Sequence, residues 1–221
     1  MFPLLETERL ILREITQEDV GEVFACFSNE QVIRYYGQEK MKSVAEASAI
    51  IDFFAQSFQE VRGIRWGMER KGTKGIIGSI GWNAFVPKHR RAEIGYEVHP
   101  DFWRNGYAEE AVSAVLSYGF GQLELNRAGA IVFIENEASS RLLKKHGFLE
   151  EGILRRYLQQ NGMAKDVIMY SLLKEDYLRQ KKKKKKRAPL REPSIRSIRK
   201  PLLPAAVYVQ ISVPMDGRAI F

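Results

Sequence analysis

Residues 92–111, AEIGYEVHPDFWRNGYAEEA, decide the fold because a strand pattern runs directly into a helix pattern there. Over residues 92–98 polar and apolar positions alternate, with Glu93 and Glu97 on one face, which predicts a half-buried strand. A His-Pro-Asp turn follows this strand. From Gly106 onward, small and apolar side chains recur at helical spacing and predict an amphipathic helix of about four turns, with the stripe Ala108, Ala111, Val112, Val115, Leu116 and Gly119.

The junction of this strand and this helix is a predicted anion site. The first backbone amides of a helix have no partner inside the helix, and the helix dipole places partial positive charge there. Phosphate oxygens bind readily at such a position. We therefore expect the backbone of Arg104, Asn105, Gly106, Tyr107 and Ala108 to receive an anion, which the glycine allows to approach closely. The structural alternative is a glycine that serves only the turn.

The uneven charge divides the chain into a domain and a tail. The chain has 221 residues, of which 45% are hydrophobic, enough for one sizeable core. Residues 1–180 hold 23 Lys and Arg against 25 Asp and Glu, a net charge of −2, whereas residues 181–221 hold 12 against 2, a net charge of +10. We predict a domain over residues 1–178 and a basic, Pro- and Arg-rich tail over residues 179–221 that is disordered or loosely attached.

The composition also limits the function classes. Cys26 is the only cysteine, which excludes an intramolecular disulfide and a cysteine-based zinc cluster. The three histidines show no metal-ligand spacing, so we expect no metal. No apolar run reaches the ~18 residues of a membrane helix, and the first ten residues lack the basic and apolar regions of a secretory signal. We expect a cytoplasmic protein without a membrane partner.

Capping and turn signals place the remaining elements. Thr16-x-x-Asp19 and Ser43-x-x-Glu46 resemble capping boxes and predict two helices after a first strand. Asn136 is a good N-cap for a later helix. Apolar segments bounded by turn signals predict strands over residues 9–15, 64–69, 76–85, 127–135, 148–158 and 165–173. The order βααβββαβαββ indicates a mixed α/β (α+β) domain, and its short turns imply a mostly antiparallel central sheet flanked by helices.

These residues resemble the GNAT superfamily of acetyl-CoA-dependent N-acetyltransferases over residues 7–175. The superfamily's acetyl-CoA motif is Gln/Arg-x-x-Gly-x-Gly/Ala, which residues 103–108 match at Gly106 and Ala108 but not at Trp103. Three further strings, ETERLILREI, AEIGYEV and NEASSRLLKKHGF, are similar to the Rim-type branch, which includes ribosomal-protein N-terminal acetyltransferases. The resemblance implies a GNAT-like fold that transfers an acetyl group to an amine.

The resemblance also assigns the contacts of the cosubstrate acetyl-CoA. Its pyrophosphate would lie on the amides of residues 104–108, with Arg104 adding a charged contact. A bulge at residues 97–99 would splay two strands to admit the pantetheine arm, and the Val98 amide would point at the thioester oxygen as an oxyanion donor. Further contacts to that arm would come from Asn136, Ser139 and Lys144.

Two carboxylates on the central strand are candidates for the general base. Glu93 and Glu97 share one strand face, and the resemblance makes Glu93 the better candidate to accept the amine proton, directly or through water. A solvated carboxylate, or an ion pair of Glu93 with Arg91 or Arg13, explains the same residue without catalysis. Many superfamily members carry a Tyr acid seven residues after the Asn, where this chain has Leu143. The group that assists thiolate departure is therefore unassigned.

The acceptor pocket is predicted from aromatic residues near the central strand. Tyr35, Tyr36 and Trp82 could line such a pocket, although aromatic residues on these elements also pack in cores. The leading acceptor is the N-terminal α-amine of a ribosomal protein, which implies ribosome association by a monomer or homodimer. An α-amine demands little of a base, because its unperturbed pKa is ~7.7–8.0.

Two other functions fit the same residues. One is acetylation of a small amine, such as a polyamine, an amino acid or an aminoglycoside. Such a site would recruit carboxylates from residues 30–60, where the candidates are Glu30, Glu39, Glu46 and Asp52. The other is a non-catalytic module that binds acyl-CoA, or RNA through the basic tail.

Overall fold

The computed structural model describes residues 1–187, with side chains through residue 183. Within that part, eight strands form one sheet: β1 (Leu5–Glu6), β2 (Leu10–Glu14), β3 (Ile64–Arg70), β4 (Ile76–Val86), β5 (Arg91–Val98), β6 (Arg127–Phe133), β7 (Leu149–Gln160) and β8 (Met163–Leu173). Six α-helices accompany them: α1 (Val20–Phe27), α2 (Glu30–Ile33), α3 (Val44–Gln59), α4 (Tyr107–Gly121), α5 (Glu137–Lys145) and α6 (Lys174–Arg187).

The strands lie in the order β1-β2-β3-β4-β5-β6-β8-β7. All neighbouring pairs are antiparallel except β5 and β6, which run parallel from the pair Arg91–Arg127 to the pair Glu93–Gly129. The parallel pair arises because α4 connects the two strands as a crossover, whereas a short turn reverses the chain. The predicted mixed, mostly antiparallel sheet flanked by helices is therefore confirmed.

The first predicted capping box is formed, and the second forms one of its two bonds. The backbone amide of Thr16 donates to Asp19 Oδ2 at 2.9 Å and opens a 3-10 turn that leads into α1. Ser43 Oγ accepts from the backbone amide of Glu46 at 3.4 Å at the start of α3. Such bonds satisfy backbone groups that lack a partner at a helix start, so each helix begins where its cap stands.

Both faces of the sheet are covered. On one face Trp82 and Ile94 pack with Val112 of α4 in the larger core cluster, which also includes part of α5. On the other face α1 and α3 supply Phe27 and Ile51 to a second cluster. Because side chains alternate along a strand, the polar face of β5 is turned towards α1–α3 and its apolar face towards α4 and α5.

Three elements were not predicted: β1, the one-turn helix α2, and α6. Helix α6 crosses the predicted domain boundary at residue 178, so residues 179–187, predicted to be disordered or loosely attached, are helical. Tyr177 stacks on Phe120 with ring centroids 4.8 Å apart, which anchors the first turns. Lysine favours helices, and extending a helix is easier than starting one, so α6 continues into the lysine run. The rest of the predicted tail lies outside the described residues.

Among residues 1–187, no helix is long and apolar enough to cross a membrane. In the same part of the chain, no group of three or more His, Cys, Asp or Glu side chains could hold a metal ion. Cys26 is buried, and this burial raises the pKa of its thiol.

Candidate active site

A gap opens in the sheet between β5 and β6. The two strands pair only as far as Glu93 of β5 and then diverge. The backbone amide of His99 donates to the Ile77 carbonyl at 2.8 Å, so the residues of β5 that bond β4 are the odd-numbered ones. The backbone N–H and C=O groups of Tyr96 and Val98 therefore point away from β4, into the gap.

The gap forms without the predicted bulge at residues 97–99, so that prediction is wrong. Val98 pairs with Gly78, and the β4–β5 register continues one to one from there. The register shift in this pair lies between Asn83 and Val86 instead. β5 stays paired with β4, whereas β6 is paired with β8 along its whole length. The parallel pairing of β5 with β6 therefore ends early, and these two strands separate.

Val98 presents its backbone to this gap. Its carbonyl accepts from Trp103 Nε1 at 2.6 Å, which is possible only on the side away from β4. The amide of the same residue points the same way, as an oxyanion donor must. Trp103, which departs from the motif, here ties the loop after β5 to the end of the strand.

The gap continues into a cavity of about 300 Å³ that is lined from both faces of the sheet. The side turned towards α1–α3 carries Tyr36, Phe54, Arg65 and Glu93. The side turned towards α4 and α5 carries Tyr96, Asn136, Ser139 and Leu143. An amine and a thioester can therefore reach the gap from opposite faces.

Glu93 is the only acid among the described residues that line the cavity. Its carboxylate forms no hydrogen bond or close ion pair with another described side chain. Of the two predicted partners, Arg13 instead binds Asp19 at 2.7 Å, and Arg91 acts on Glu93 only at longer range. Burial raises the pKa of Glu93 above its ordinary value, a rise that Arg91 and Arg127 limit. An unpaired carboxylate with a raised pKa is suited to accept a proton.

Glu97, the other predicted candidate, lies in a buried ion pair. Its carboxylate accepts from Arg65 and from Ser79, and it does not line the cavity. Arg65 also donates to Tyr36 Oη at 3.3 Å and to the Gly95 carbonyl at 3.2 Å. Burial raises the pKa of the Glu97 carboxyl. The geometry favours support of the cavity wall over proton transfer for this residue.

The predicted anion site is a tight loop before α4. Arg104 and Gly106 have φ values of 62° and 79°, in the left-handed region that favours glycine. Asn105 Nδ2 donates to the carbonyls of Phe102 and Trp103 at 3.2 and 3.1 Å and holds the loop closed. The side chain of Arg104 is exposed, with no contact to a described residue that would fix it.

The first turn of α4 offers free amides without free negative charge. Its first helical bond runs from the amide of Glu110 to the carbonyl four residues earlier, at 3.1 Å. The amides of Tyr107, Ala108 and Glu109 therefore have no partner inside the helix. The Glu109 carboxylate pairs with Lys145 at 2.7 Å. An anion at this loop would meet donors rather than an unpaired carboxylate.

Arg9 is a second cation at the loop, and the sequence patterns did not single it out. Its Nε donates to Glu110 Oε2 at 2.7 Å and its Nη1 to the Asn105 carbonyl at 2.9 Å. The guanidinium lies over the Tyr107 ring, 4.8 Å from the centroid. Its Nη2 donates to no described residue and lies 3.4 Å from where a Cβ on Gly106 would stand. In the sequence, the only indication that Arg9 belongs to the site was its place in the string ETERL.

The predicted pantetheine contacts divide into two that reach the cavity and one that does not. Asn136 and Ser139 line the cavity, and Asn136 Oδ1 accepts from the Ser139 amide at 3.2 Å as the N-cap of α5. The Nδ2 group of Asn136 is left for a ligand. Lys144 instead pairs with Glu150 at 3.1 Å and lies over the Tyr170 ring.

Two of the three predicted acceptor residues line the cavity, and the third does not. Tyr35 and Tyr36 line the cavity, and burial raises the pKa of Tyr36, which keeps its hydroxyl neutral. Trp82 is 1% exposed and packs in the core against Gly119 of α4, so its predicted place in the acceptor pocket is wrong. Because side chains alternate along β4, the Trp82 side chain faces α4. Polar and aromatic lining residues that the sequence did not suggest include Gln38, Phe53, Phe54, Arg65, Asn83 and Tyr96.

The sequence pattern of the acetyltransferase (GNAT) domain family matches residues 9–149, well over half of the chain. The chain belongs to the GNAT family. The matched region holds β5, the loop before α4, the gap and the N-cap of α5. The protein is therefore an N-acetyltransferase that uses acetyl-CoA as cosubstrate.

The chain is similar to three proteins that are named as N-acetyltransferases. The chain is 58% identical to "Uncharacterized N-acetyltransferase YoaA" of Bacillus subtilis, over 79% of this chain and 98% of that protein. It is 28% identical to "Putative ribosomal N-acetyltransferase YdaF" of the same organism, over 80% and 98%. It is 25% identical to the crystal structure of spermidine N-acetyltransferase from Vibrio cholerae in complex with CoA and spermine, covering 76% and 98% with a TM-score of 0.68.

Proposed function

We propose that this GNAT enzyme acetylates the N-terminal α-amine of a protein, with a ribosomal protein as the leading acceptor. The observation that carries the proposal is that Glu93 is the one carboxylate that described residues place on the acceptor side of the cavity, among aromatic and amide side chains. A polyamine brings several positive charges, each of which needs a partner when it leaves water. The α-amine of a peptide brings one positive charge. The similarity to YdaF supports a ribosomal acceptor.

The carboxylates that a polyamine site would recruit lie elsewhere. Glu30 is in an exposed ion pair, and Glu39 accepts from a backbone amide of the β7–β8 turn. Glu46 caps α3, and Asp52 accepts from a glutamine side chain near α1. None of the four lines the cavity. Their positions support an acceptor with one positive charge over a polyamine.

Glu93 would act as the base in this reaction. The attacking amine must be neutral, and an α-amine with a pKa of ~7.7–8.0 is partly neutral near pH 7, whereas a lysine amine at ~10.4 is not. Glu93 and Val98 are five residues apart on β5, about 16 Å between Cα atoms, so Glu93 would accept the proton that the nitrogen loses through water. A buried carboxylate of raised pKa holds that proton more readily than an exposed one.

The remaining donors fit the parts of acetyl-CoA. Arg9, Arg104 and the free amides at the start of α4 would hold the pyrophosphate, where Gly106 leaves room for it. Asn136 Nδ2 and the gap-side backbone of β5 would hold the pantetheine arm. The Val98 amide would donate to the thioester oxygen as negative charge develops on it.

The test is a comparison of acceptors with purified full-length protein, acetyl-CoA and a readout of released thiol. We expect kcat/KM for a peptide with a free N-terminus to exceed that for spermidine by at least about tenfold, with the difference set by the charge of the second amine. The same peptide with a blocked N-terminus and a free lysine should react poorly. A higher kcat/KM for spermidine would overturn the acceptor assignment.

Acetylation of a small amine is the second candidate, because the similar structure from Vibrio cholerae is a spermidine N-acetyltransferase that holds spermine. If the acceptor is a small amine, the cavity would hold only the end of that molecule that reacts, next to Glu93. The cytoplasmic location, the ribosome association and the choice between monomer and homodimer stay predictions.

A further inference from the structure

Acetyl transfer leaves negative charge on sulfur, and the cavity lacks the tyrosine that many GNAT enzymes carry for this step. Leu143 holds that position, is fully buried and has no proton to donate. The α4–α5 side of the cavity, where acetyl-CoA would enter, offers other polar side chains: Tyr96, Asn136 and Ser139. The Oδ1 of Asn136 caps α5, and its Nδ2 is already assigned to the pantetheine arm.

The Tyr96 hydroxyl is buried and forms no well-aligned hydrogen bond in the described part of the chain, where the Ser139 side chain is a weak partner. Buried hydroxyl groups are nearly always hydrogen-bonded, because removal from water without a new bond destabilises the folded state. Burial raises the pKa of Tyr96 to about 12, and the side-chain hydrogen bond with Ser139 opposes this rise. A shielded hydroxyl with only this weak partner, on a residue that lines a ligand cavity, points to a stronger bond that forms when the ligand is present.

Tyr96 and Glu93 lie on opposite faces of β5. They are three residues apart, which at ~3.3 Å per residue separates their Cα atoms by about 10 Å. Glu93 faces the α1–α3 side, where the amine would enter, and Tyr96 faces the side of α5 and Leu143. The amine can therefore approach the carbonyl carbon from one side while the sulfur leaves towards the other.

We propose that the Tyr96 hydroxyl donates a hydrogen bond to the thioester sulfur of acetyl-CoA as the carbon–sulfur bond breaks. The amine nitrogen forms a bond to the carbonyl carbon, and its surplus proton passes to Glu93 or water. The electron pair of the broken bond stays on sulfur, where the Tyr96 O–H stabilises it. A thiol, with a pKa of ~8.5, is a stronger acid than this phenol, so the phenolic proton stays on oxygen. The released thiolate takes its proton from solvent.

The first test is Tyr96→Phe, which removes only the hydroxyl. This inference rests on the proposed acetyl transfer, so the assay uses the best amine acceptor of the panel above. We expect kcat to fall about 100-fold, as for other donors that act on charge in the transition state. The KM for acetyl-CoA should change little, and Tm should fall little, because the only partner of the hydroxyl in the fold is the weak contact with Ser139. Tyr118→Phe, a buried tyrosine outside the cavity, is the matched control and should leave kcat unchanged.

A second readout needs CoA but no reaction. The thiolate absorbs in the ultraviolet, so the thiol of bound CoA can be titrated in wild type and in Tyr96→Phe. A hydrogen bond from Tyr96 to sulfur favours the thiolate and lowers the pKa of the bound thiol. We expect that pKa to be higher in Tyr96→Phe by about one unit or more.

Three results would overturn the inference. The first is an unchanged kcat or an unchanged thiol pKa in Tyr96→Phe. The second is a Tm lower by more than about 3 °C in that variant, which would show that the main bond of the hydroxyl is to Ser139 within the fold. The third is a loss of kcat in Ser139→Ala but not in Tyr96→Phe, which would assign the donor to Ser139. A wild-type enzyme that releases no thiol with any amine would overturn the proposed function instead, and the thiol titration would still test Tyr96.

Discussion

Arg9→Gln is expected to weaken the binding of acetyl-CoA about tenfold. Nε and Nη1 of Arg9 are tied to Glu110 and Asn105, so the guanidinium is held against the loop with Nη2 left for a phosphate oxygen. A hydrogen bond to a charged group contributes ~1.5–3 kcal/mol. The Arg9 side chain is 46% exposed, and screening by solvent places the loss at the low end, about 1.4 kcal/mol or tenfold in Kd.

Calorimetric titration of acetyl-CoA into wild type and Arg9→Gln measures this difference. S-acetylpantetheine, which lacks the pyrophosphate, separates the phosphate contact from a general loss of structure, and its kcat/KM should be the same in both proteins. Arg179→Gln, a change at another exposed arginine, is the control and should bind acetyl-CoA as wild type does. An unchanged Kd in Arg9→Gln, or an equal loss with S-acetylpantetheine, would refute the reasoning.

The other predictions concern the glycine and the two carboxylates of β5. Gly106→Val should abolish acetyl-CoA binding in calorimetry. The left-handed φ of 79° strains a branched residue, and the valine side chain would cover the free amides at the start of α4. Retained binding would show that this loop is not part of the site. Glu93→Gln should lower kcat with acetyl-CoA binding intact. Burial raises the pKa of Glu93 and a base acts when deprotonated, so the wild-type rate should fall as pH drops through this raised pKa. The part of the acid limb that Glu93 causes should be missing in Glu93→Gln, while the part caused by protonation of the α-amine, with a pKa of ~7.7–8.0, remains. An identical pH–rate profile in the two proteins would exclude Glu93 as the base. Glu97→Gln leaves Arg65 buried and unpaired, so the free energy of unfolding, measured in urea, should drop by ~3–5 kcal/mol. The control is Glu137→Gln, which breaks an exposed ion pair and should lower the free energy of unfolding by less than about 1 kcal/mol. Equal midpoints in the two variants would contradict the buried ion pair.

The local patterns of the sequence predicted most of the elements and half of the site. Alternation in β5 placed Glu93 on the face that meets the acceptor cavity, and the glycine at 106 marked the start of α4. Asn136 was predicted as an N-cap and forms that bond. These features depend on neighbours within a few residues, which is the range over which propensity, capping and alternation act.

The predictions that failed depend on long-range pairing. Trp82 is in the core because both faces of the sheet are covered, and alternation alone does not say which face holds the ligand. The gap beside Val98 arises from the separate partners of β5 and β6, not from a bulge. Arg9 reaches the phosphate loop through Glu110, about a hundred residues later in the chain, and no local pattern reports such a contact.

The central claim is acetyl transfer from acetyl-CoA to an N-terminal α-amine with Glu93 as base. The most direct measurement places equal amounts of a ribosomal-protein N-terminal peptide and spermidine in one reaction with limiting acetyl-CoA, and identifies the products by mass spectrometry. The proposal predicts one acetyl group on the α-amine of the peptide and little acetylspermidine, with both products reduced together in Glu93→Gln. Acetylspermidine as the main product, or equal yields from wild type and Glu93→Gln, would contradict the claim.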